Sequence, residues 1–249
     1  MGFKCHSKFE VGRKIMKTAA VVLAAGKGKR MQSDVAKQYL MLCEKPVLYY
    51  ALKAFEDSVV DEVVLVTSAD EIEYCKKEIV EKYGFTKVAK IIAGGKERYH
   101  SVHQGICAIS GADYVLIHDG ARPFVTTDLI DKILKELQSH EAVVVGMPCK
   151  DTIKIVDEEH FVKNTPNRNL VWQVQTPQSF QYDLIKEAYE KLIAKEYELI
   201  EKNVNITDDA MVVEYFMGKS VKMLEGFYHN IKITTPEDLL IAKTFLEQK

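Results

Sequence analysis

Residues 19–31 read Ala19-Ala20-Val21-Val22-Leu23-Ala24-Ala25-Gly26-Lys27-Gly28-Lys29-Arg30-Met31, an apolar run that breaks into a glycine-containing basic loop, with Lys37 a little further on. Ala19–Leu23 reads as a buried first strand. Gly26 and Gly28 permit a tight turn that aims backbone N–H groups at a ligand. Lys27, Lys29, Arg30 and Lys37 supply charge suited to a polyphosphate. In an open α/β sheet, the carboxyl end of the first strand is where a nucleotide docks. The glycine spacing excludes two common phosphate loops. A P-loop has four residues between its glycines and ends Gly-Lys-Ser/Thr, whereas one residue separates Gly26 from Gly28. A dinucleotide fingerprint has a third glycine where Met31 stands and an acid ending the second strand. The second strand, Val63–Val66, runs into Thr67-Ser68-Ala69-Asp70, which offers no such acid at the right place. A solvated basic turn is the plain alternative, but so many cations in one short stretch of a slightly acidic chain argue for an anion.

The chain has 249 residues, a net charge of −2 and the charged and apolar fractions of an ordinary globular protein. That balance predicts no general affinity for nucleic acid or anionic membrane, so an anion site must be local. Cys5, Cys43, Cys75, Cys107 and Cys149 are scattered without a Cys-x-x-Cys pair. This argues against a zinc site or disulfide framework and fits a reducing cytoplasm. Lys4, Lys8, Arg13, Lys14 and Lys17 precede the first apolar run as in a signal peptide, but cleavage near Ala25 would cut the phosphate loop. Residues 1–17 therefore read as a disordered tail, with Met16 a natural beginning. His6 stands where myristoylation needs Ser or Thr. No apolar run approaches the ~18 residues of a membrane span, and the expected location is cytoplasmic.

Beyond the loop, strands and helices alternate. Pro46 opens a helix through Phe55, Val63–Val66 is a strand, and Glu71–Tyr83 is a helix ended by Gly84. Lys87–Ile92 is a strand, Arg98–Ile109 a helix, Tyr114–Ile117 a strand, Thr126–Gln138 a helix and Ala142–Val145 a strand. The rhythm predicts an α/β fold, Rossmann-like, with a mostly parallel sheet and helices on both faces. It breaks from Pro148 to Gln178, where short extended pieces joined by polar turns suggest an arm packing on another subunit or a surface hairpin. Helices at Tyr182–Ala194, from Thr207-Asp208-Asp209 and from Pro236 follow, with strands at Lys219–Leu224 and Asn230–Ile233. Residues 18–249 thus form one domain with an excursion at about 148–178.

Polar clusters fall just after strands, as an active site in this architecture requires. Gly94-Gly95-Lys96-Glu97-Arg98 precedes a helix whose N-terminus favours an anion, with Ser101 one turn in. His100 and His103 lack a third metal ligand and read as helix-surface residues. His118-Asp119-Gly120-Ala121-Arg122-Pro123 ends a strand, and Asp119 is suited to Mg²⁺, which takes one or two carboxylates plus substrate phosphates. Asp208 reads as a helix cap, and Asp209 as either a capping residue or a second metal ligand. Asp151-Thr152, Arg168 and Thr176-Pro177-Gln178 offer further anion and hydroxyl ligands. Lys232 on its expected strand would face away from Ile231 and Ile233. These residues alone describe a Mg²⁺-dependent, nucleotide-using enzyme.

In this order, Leu23-Ala24-Ala25-Gly26-x-Gly28-x-Arg30-Met31, Lys37-Gln38-Tyr39, Gly94-Gly95-x-Glu97-Arg98-x-x-Ser101-Val102 and His118-Asp119-x-Ala121-Arg122-Pro123 make up the first half of a recognisable series. Asp151-Thr152-x-Lys154, Thr176-Pro177-Gln178, Thr207-Asp208-Asp209-Ala210 and Asn230-Ile231-Lys232 complete it. From about Thr18 onward the chain resembles the 2-C-methyl-D-erythritol 4-phosphate cytidylyltransferases of the non-mevalonate isoprenoid pathway. The resemblance implies transfer of CMP from CTP to methylerythritol phosphate with release of pyrophosphate. It implies that Ala24, Ala25, Gly26, Gly28, Arg30 and Lys37 bind the triphosphate, and that Gly95, Arg98 and Ser101 hold the cytosine. Asp119 and Gly120 would contact ribose, phosphate and Mg²⁺; alanine, frequent in the family at the place of Gly120, should preserve the backbone contacts. Thr152, Arg168 and Thr176 would bind the acceptor, the first two across a homodimer built by exchanged arms, and Lys232 would reach the α-phosphate. Arg30, Lys37 and Lys232 are then the catalytic cations. Two other readings remain: a ribitol 5-phosphate cytidylyltransferase, which shares the first-half motifs although Asp151-Thr152-x-Lys154 and Gly95-Lys96-Glu97-Arg98 lean toward the isoprenoid enzyme, and a catalytically inert nucleotide-binding regulator of the same fold.

Overall fold

Strand β1 (Thr18–Leu23) carries small and β-branched residues, and its first five are buried. In a computed structural model that describes residues 10–11, 14–26, 31 and 36–248, it lies inside a seven-stranded sheet. Successive side chains of a strand point to opposite faces. Ala20 and Val22 therefore enter one core and Ala19 and Val21 the other, which is why the run is continuously apolar rather than alternating.

Helix α1 (Val47–Glu56) starts behind Pro46 and buries Val47, Leu48, Ala51, Leu52 and Phe55. It leads to β2 (Glu62–Thr67). Helix α2 (Ile72–Tyr74) continues as π-helical turns over Cys75–Glu81, and Gly84 at φ 68° ends the segment. Then come β3 (Val88–Ala93), α3 (Arg98–Ala108), β4 (Tyr114–Asp119), α4 (Thr127–Glu136) and β5 (Ala142–Pro148). After an excursion the chain returns as β6 (Trp172–Gln181), α5 (Tyr182–Ala194), α6 (Glu196–Glu201), α7 (Asp209–Met217), β7 (Lys222–Glu225) and α8 (Pro236–Glu247). The sheet order is β7-β5-β6-β4-β1-β2-β3. β1 pairs in parallel with β2 and β4, β2 with β3, and β5 with β7. Helices α1 and α4 cover one face, and α3, α5 and α7 the other.

Besides the π turns after α2, the later start of β7 and the added helix α6, two differences from the sequence expectation bear on the cavity. β6 is a ten-residue strand in the middle of the sheet, antiparallel to both β4 and β5, although Gln175, Thr176, Pro177, Gln178 and Ser179 read as a polar stretch. Pro177 fits because the β5–β6 ladder shifts register between Val174 and Gln178, so no ladder hydrogen bond is asked of it. Three of the polar side chains have partners on neighbouring elements: Gln175 donates to the Phe227 carbonyl at 3.0 Å, Gln178 to Asp208 at 3.1 Å, and the Thr176 hydroxyl meets His118 Nδ1 at 3.0 Å, whereas the buried Ser179 hydroxyl has none among the described residues. The irregular excursion is thereby confined to the residues between Pro148 and Trp172, where Ile155–Val156 pairs with Val162–Asn164 in an exposed ribbon. Second, Asn230–Ile233 is not a strand. It is an irregular segment tied down by the Ile233 N–H to the Ala121 carbonyl at 2.9 Å. Of the expected tail, Glu10–Val11 pairs with Lys14–Ile15; the rest up to residue 13 lies outside the described residues. Among the described residues no helix is long and apolar enough to cross a membrane.

His118 on β4 is fully buried, its ring edge-on to Phe55 at 5.5 Å. Its network fixes the tautomer: Nε2–H donates to the Arg122 carbonyl at 3.1 Å, and Nδ1 accepts from the Thr176 hydroxyl at 3.0 Å. Burial pushes its pKa down to about 4. An unfolded histidine protonates near pH ~6.5, so between those values the unfolded chain binds the extra proton and stability falls as pH drops, by ~3 kcal/mol across the window. Urea unfolding at pH 7 and pH 4.5 is expected to show a smaller loss in His118→Gln than in the parent. Equal losses would exclude His118 as the source.

Candidate active site

The carboxyl ends of β1, β3 and β4 open onto one cavity of about 720 Å³. Leu23, Ala24, Ala25 and Gly26 form one wall, and Lys37 and Gln38 another. The rest of the lining is Gly95, Lys96, Glu97, Arg98, Ser101, Asp119, Ala121 and Lys232. Lys37 reaches it from a short 3₁₀ turn, Lys37–Tyr39. That turn is fixed from both sides. The buried Gln38 amide donates to the Ala24 carbonyl, and the Tyr39 hydroxyl meets Thr67 at 2.7 Å and Cys75 at 3.0 Å.

The loop after β3 needs its two glycines for steric reasons. A Cβ on Gly94 would stand 2.6 Å from Ser101 Oγ and 2.7 Å from Ala25 Cβ, and one on Gly95 would stand 2.3 Å from His100 Cβ. The two ligand-facing loops therefore touch backbone to side chain, and Gly95 donates its N–H to Ser101 Oγ at 3.0 Å. Glu97 and His100 form a reciprocal capping box at the start of α3, which explains His100 without invoking a metal.

Asp119 lies at the centre. Its carboxylate receives Lys232 Nζ at 2.8 Å, Arg98 Nε at 3.5 Å and Arg122 Nε at 3.8 Å. Burial would raise its pKa, but Arg98, Lys232 and Arg122 together hold it well below the usual carboxylate range. Asp119 is thus ionised at every physiological pH. Lys232, which the resemblance assigns to the α-phosphate and the alternation alone only turned away from Ile231 and Ile233, lines the cavity from the pinned 230–233 segment. Asn230 is fully buried and donates to the Thr176 carbonyl at 2.9 Å, while its own carbonyl accepts from Arg122 Nη1 at 2.8 Å.

Other expected ligands lie elsewhere. Gly120 does not line the cavity; its N–H is donated to the Leu23 carbonyl at 2.8 Å. A Cβ there would sit 2.8 Å from Leu48 Cδ1 and 3.0 Å from the Leu23 carbonyl, so alanine would require both to give way. Thr176 is buried, and its hydroxyl is engaged by His118 Nδ1 and the Asp119 N–H, the latter at 3.1 Å. Thr152 and Arg168 are exposed in the excursion, where Arg168 donates to the Lys150 carbonyl at 3.0 Å, and neither lines the cavity. Gly28 and Arg30 lie outside the described residues. Asp208 caps α7 through the Met211 N–H at 2.9 Å. Asp209 is fully buried, and its oxygens are occupied by Arg98 and Tyr189 rather than open to a metal. Arg122 was missed as a site residue because its place beside Asp119 depends on the turn after β4 and on Asn230.

Residues 18–248 match the family model of 2-C-methyl-D-erythritol 4-phosphate cytidylyltransferase. A protein of that name from Lachnoclostridium phytofermentans is 47% identical over 232 residues, covering 93% of this chain and 97% of its own length. One from Clostridium botulinum is 50% identical over 226 residues, covering 90% and 97%. A crystal structure of a 4-diphosphocytidyl-2C-methyl-D-erythritol synthase from Anaerococcus prevotii superposes with a TM-score of 0.80 at 35% identity, covering 93% of this chain and 96% of that one. With a family model matched over nearly the whole chain and relatives about half identical end to end, the chain belongs to the 2-C-methyl-D-erythritol 4-phosphate cytidylyltransferase family.

Proposed function

We propose that this cavity transfers CMP from CTP to 2-C-methyl-D-erythritol 4-phosphate, giving 4-diphosphocytidyl-2-C-methyl-D-erythritol and pyrophosphate. The observation that carries the reading is the meeting of Lys232, Arg98 and Arg122 on the buried Asp119 inside a cavity walled by two close-packed loops. Three cations facing one carboxylate leave positive charge over, which suits the triphosphate of a nucleotide. The relatives' names support CTP as that nucleotide and methylerythritol phosphate as the acceptor, and do not favour a ribitol 5-phosphate enzyme or an inert regulator.

The acceptor's phosphate oxygen is ionised at neutral pH, so no side chain has to remove a proton. It attacks the α-phosphorus in line with the departing pyrophosphate: a new P–O bond forms as the bond to the bridging α–β oxygen breaks. Catalysis then consists of holding the two phosphates in line and stabilising the equatorial oxygens. We assign Lys37 and Lys232 to those oxygens and Arg30 to the leaving pyrophosphate. Ala24, Ala25, Gly26 and Gly28 bind the triphosphate, and Gly95, Arg98 and Ser101 hold the base. Among the described residues there is no cluster of three metal-ligating side chains. A single permanently ionised Asp119 fits Mg²⁺, a cation that takes most of its oxygens from substrate phosphates. When bound, such an ion neutralises charge on the phosphates, with Asp119 as its protein ligand.

The acceptor side we assign to Thr152 and Arg168 of an exchanged arm in a homodimer. Phe161 and Leu170, 68% and 79% exposed on the excursion, support its packing against a second copy. Thr176 would act at the acceptor's edge by holding the Asp119 backbone. The free thiols of Cys43, Cys75, Cys107 and Cys149 support a cytoplasmic setting.

Pyrophosphate release from CTP and Mg²⁺ is expected with methylerythritol phosphate and not with ribitol 5-phosphate; the reverse preference would overturn the acceptor assignment. Lys37→Ala and Lys232→Ala are each expected to lower kcat by ~10²–10³, the usual effect of losing one oxyanion donor. A kcat within twofold of the parent in both would remove them from the mechanism. Arg168→Ala should raise KM for the acceptor about tenfold or more while leaving KM for CTP unchanged, as loss of a phosphate ion pair requires.

A further inference from the structure

Behind the cavity wall, Arg98 is gripped from the far side. Asp209 Oδ1 and Oδ2 take its Nη1 and Nη2 at 2.7 and 2.8 Å, a bidentate pair. Asp209 is fully buried, accepts a third hydrogen bond from the Tyr189 hydroxyl at 2.5 Å, and does not line the cavity. One N–H of each terminal nitrogen is given to Asp209, and Nε is the Arg98 nitrogen paired with Asp119, at 3.5 Å. The grip is itself anchored: Asp209 is the first residue of α7, and Gln178 of the central strand accepts the next N–H, that of Ala210, at 2.8 Å.

We propose that Asp209, backed by Tyr189, is a positioning residue for nucleotide binding, acting only through Arg98. A guanidinium on a flexible stem, facing a carboxylate as strong as Asp119, would otherwise turn its two-nitrogen edge toward that carboxylate. It would then compete with Lys232 and withdraw from the nucleotide. Asp209 prevents this by offering the same fork from the opposite side, where burial strengthens the pair. Arg98 is thereby presented to the cavity in one orientation before the nucleotide arrives, which lowers the ordering cost of binding. The proposal rests on the reading of the cavity as a CTP site and adds to it a residue that touches no substrate.

The test is a double-mutant cycle read by calorimetric CTP affinity and by steady-state kinetics, on the parent, Asp209→Asn, Arg98→Lys and the double variant. Asp209→Asn is expected to weaken CTP binding and raise KM for CTP about tenfold, the loss of one charge-assisted bond, with kcat within about twofold. In the Arg98→Lys background it should add nothing further. A lowered melting temperature with unchanged CTP affinity, or losses that multiply in the double variant, would overturn the proposal. Should Asp209→Asn fail to fold, Tyr189→Phe keeps the shape and removes one bond to the carboxylate. It is expected to weaken CTP about threefold in the parent background and not at all beside Arg98→Lys, and unchanged affinity would overturn the proposal. A parent that binds CTP but turns over neither polyol phosphate would refute the reaction while leaving the affinity comparison decisive.

Discussion

A carboxylate sunk at the end of a strand, with three cations turned toward it, is the constraint around which the rest of this protein is arranged. Asp119 is 7% exposed, and a charge so buried is destabilising unless it is paired and hydrogen-bonded. Its partners come from three separate points of the chain: the start of α3, the turn after β4 and the segment before α8. Each must be delivered by its own scaffold, and each scaffold uses a buried polar residue. Thr176 holds the Asp119 backbone, Asn230 holds the segment carrying Lys232 and accepts from Arg122, and Asp209 holds Arg98.

That arrangement links packing to chemistry. The groups that orient the cavity side chains lie in the sheet, in α5 and α7 and in the pinned segment at Asn230, all buried, where packing leaves little freedom. Glycines at 94 and 95 bring the second loop against the first because side chains there would collide with Ser101, Ala25 and His100. The central antiparallel strand β6 serves the same end. Its polar residues reach His118, Asp208 and Asn230, so the middle of the sheet is also the back of the cavity.

Much of the fold was legible because apolar runs are local signals. Ala19–Leu23, Val63–Val66 and Tyr114–Ile117 announce buried parallel strands, and Tyr182–Ala194 coincides with α5 to the residue. β6 was not legible, since its buried glutamines, threonine and proline have the composition of a loop; only their partners on other elements make burial tolerable. The site divided in the same way. Loops ending strands marked Gly26, Gly95, Arg98 and Asp119, whereas the partners of Arg122 and Asp209, on distant elements, carried no local sign.

The amino-acid sequence by itself determined the alternation of strands and helices, the glycine loops and the family, because these depend on periodicity, turn chemistry and ordered motifs along the chain. Only the tertiary structure decided which charges meet. Lys232 reaches Asp119 across more than a hundred residues, and Arg98 reaches Asp209 over a separation of 111 positions. Electrostatic pairing depends on distance and burial in space, and neither quantity is written in the spacing of residues along a chain.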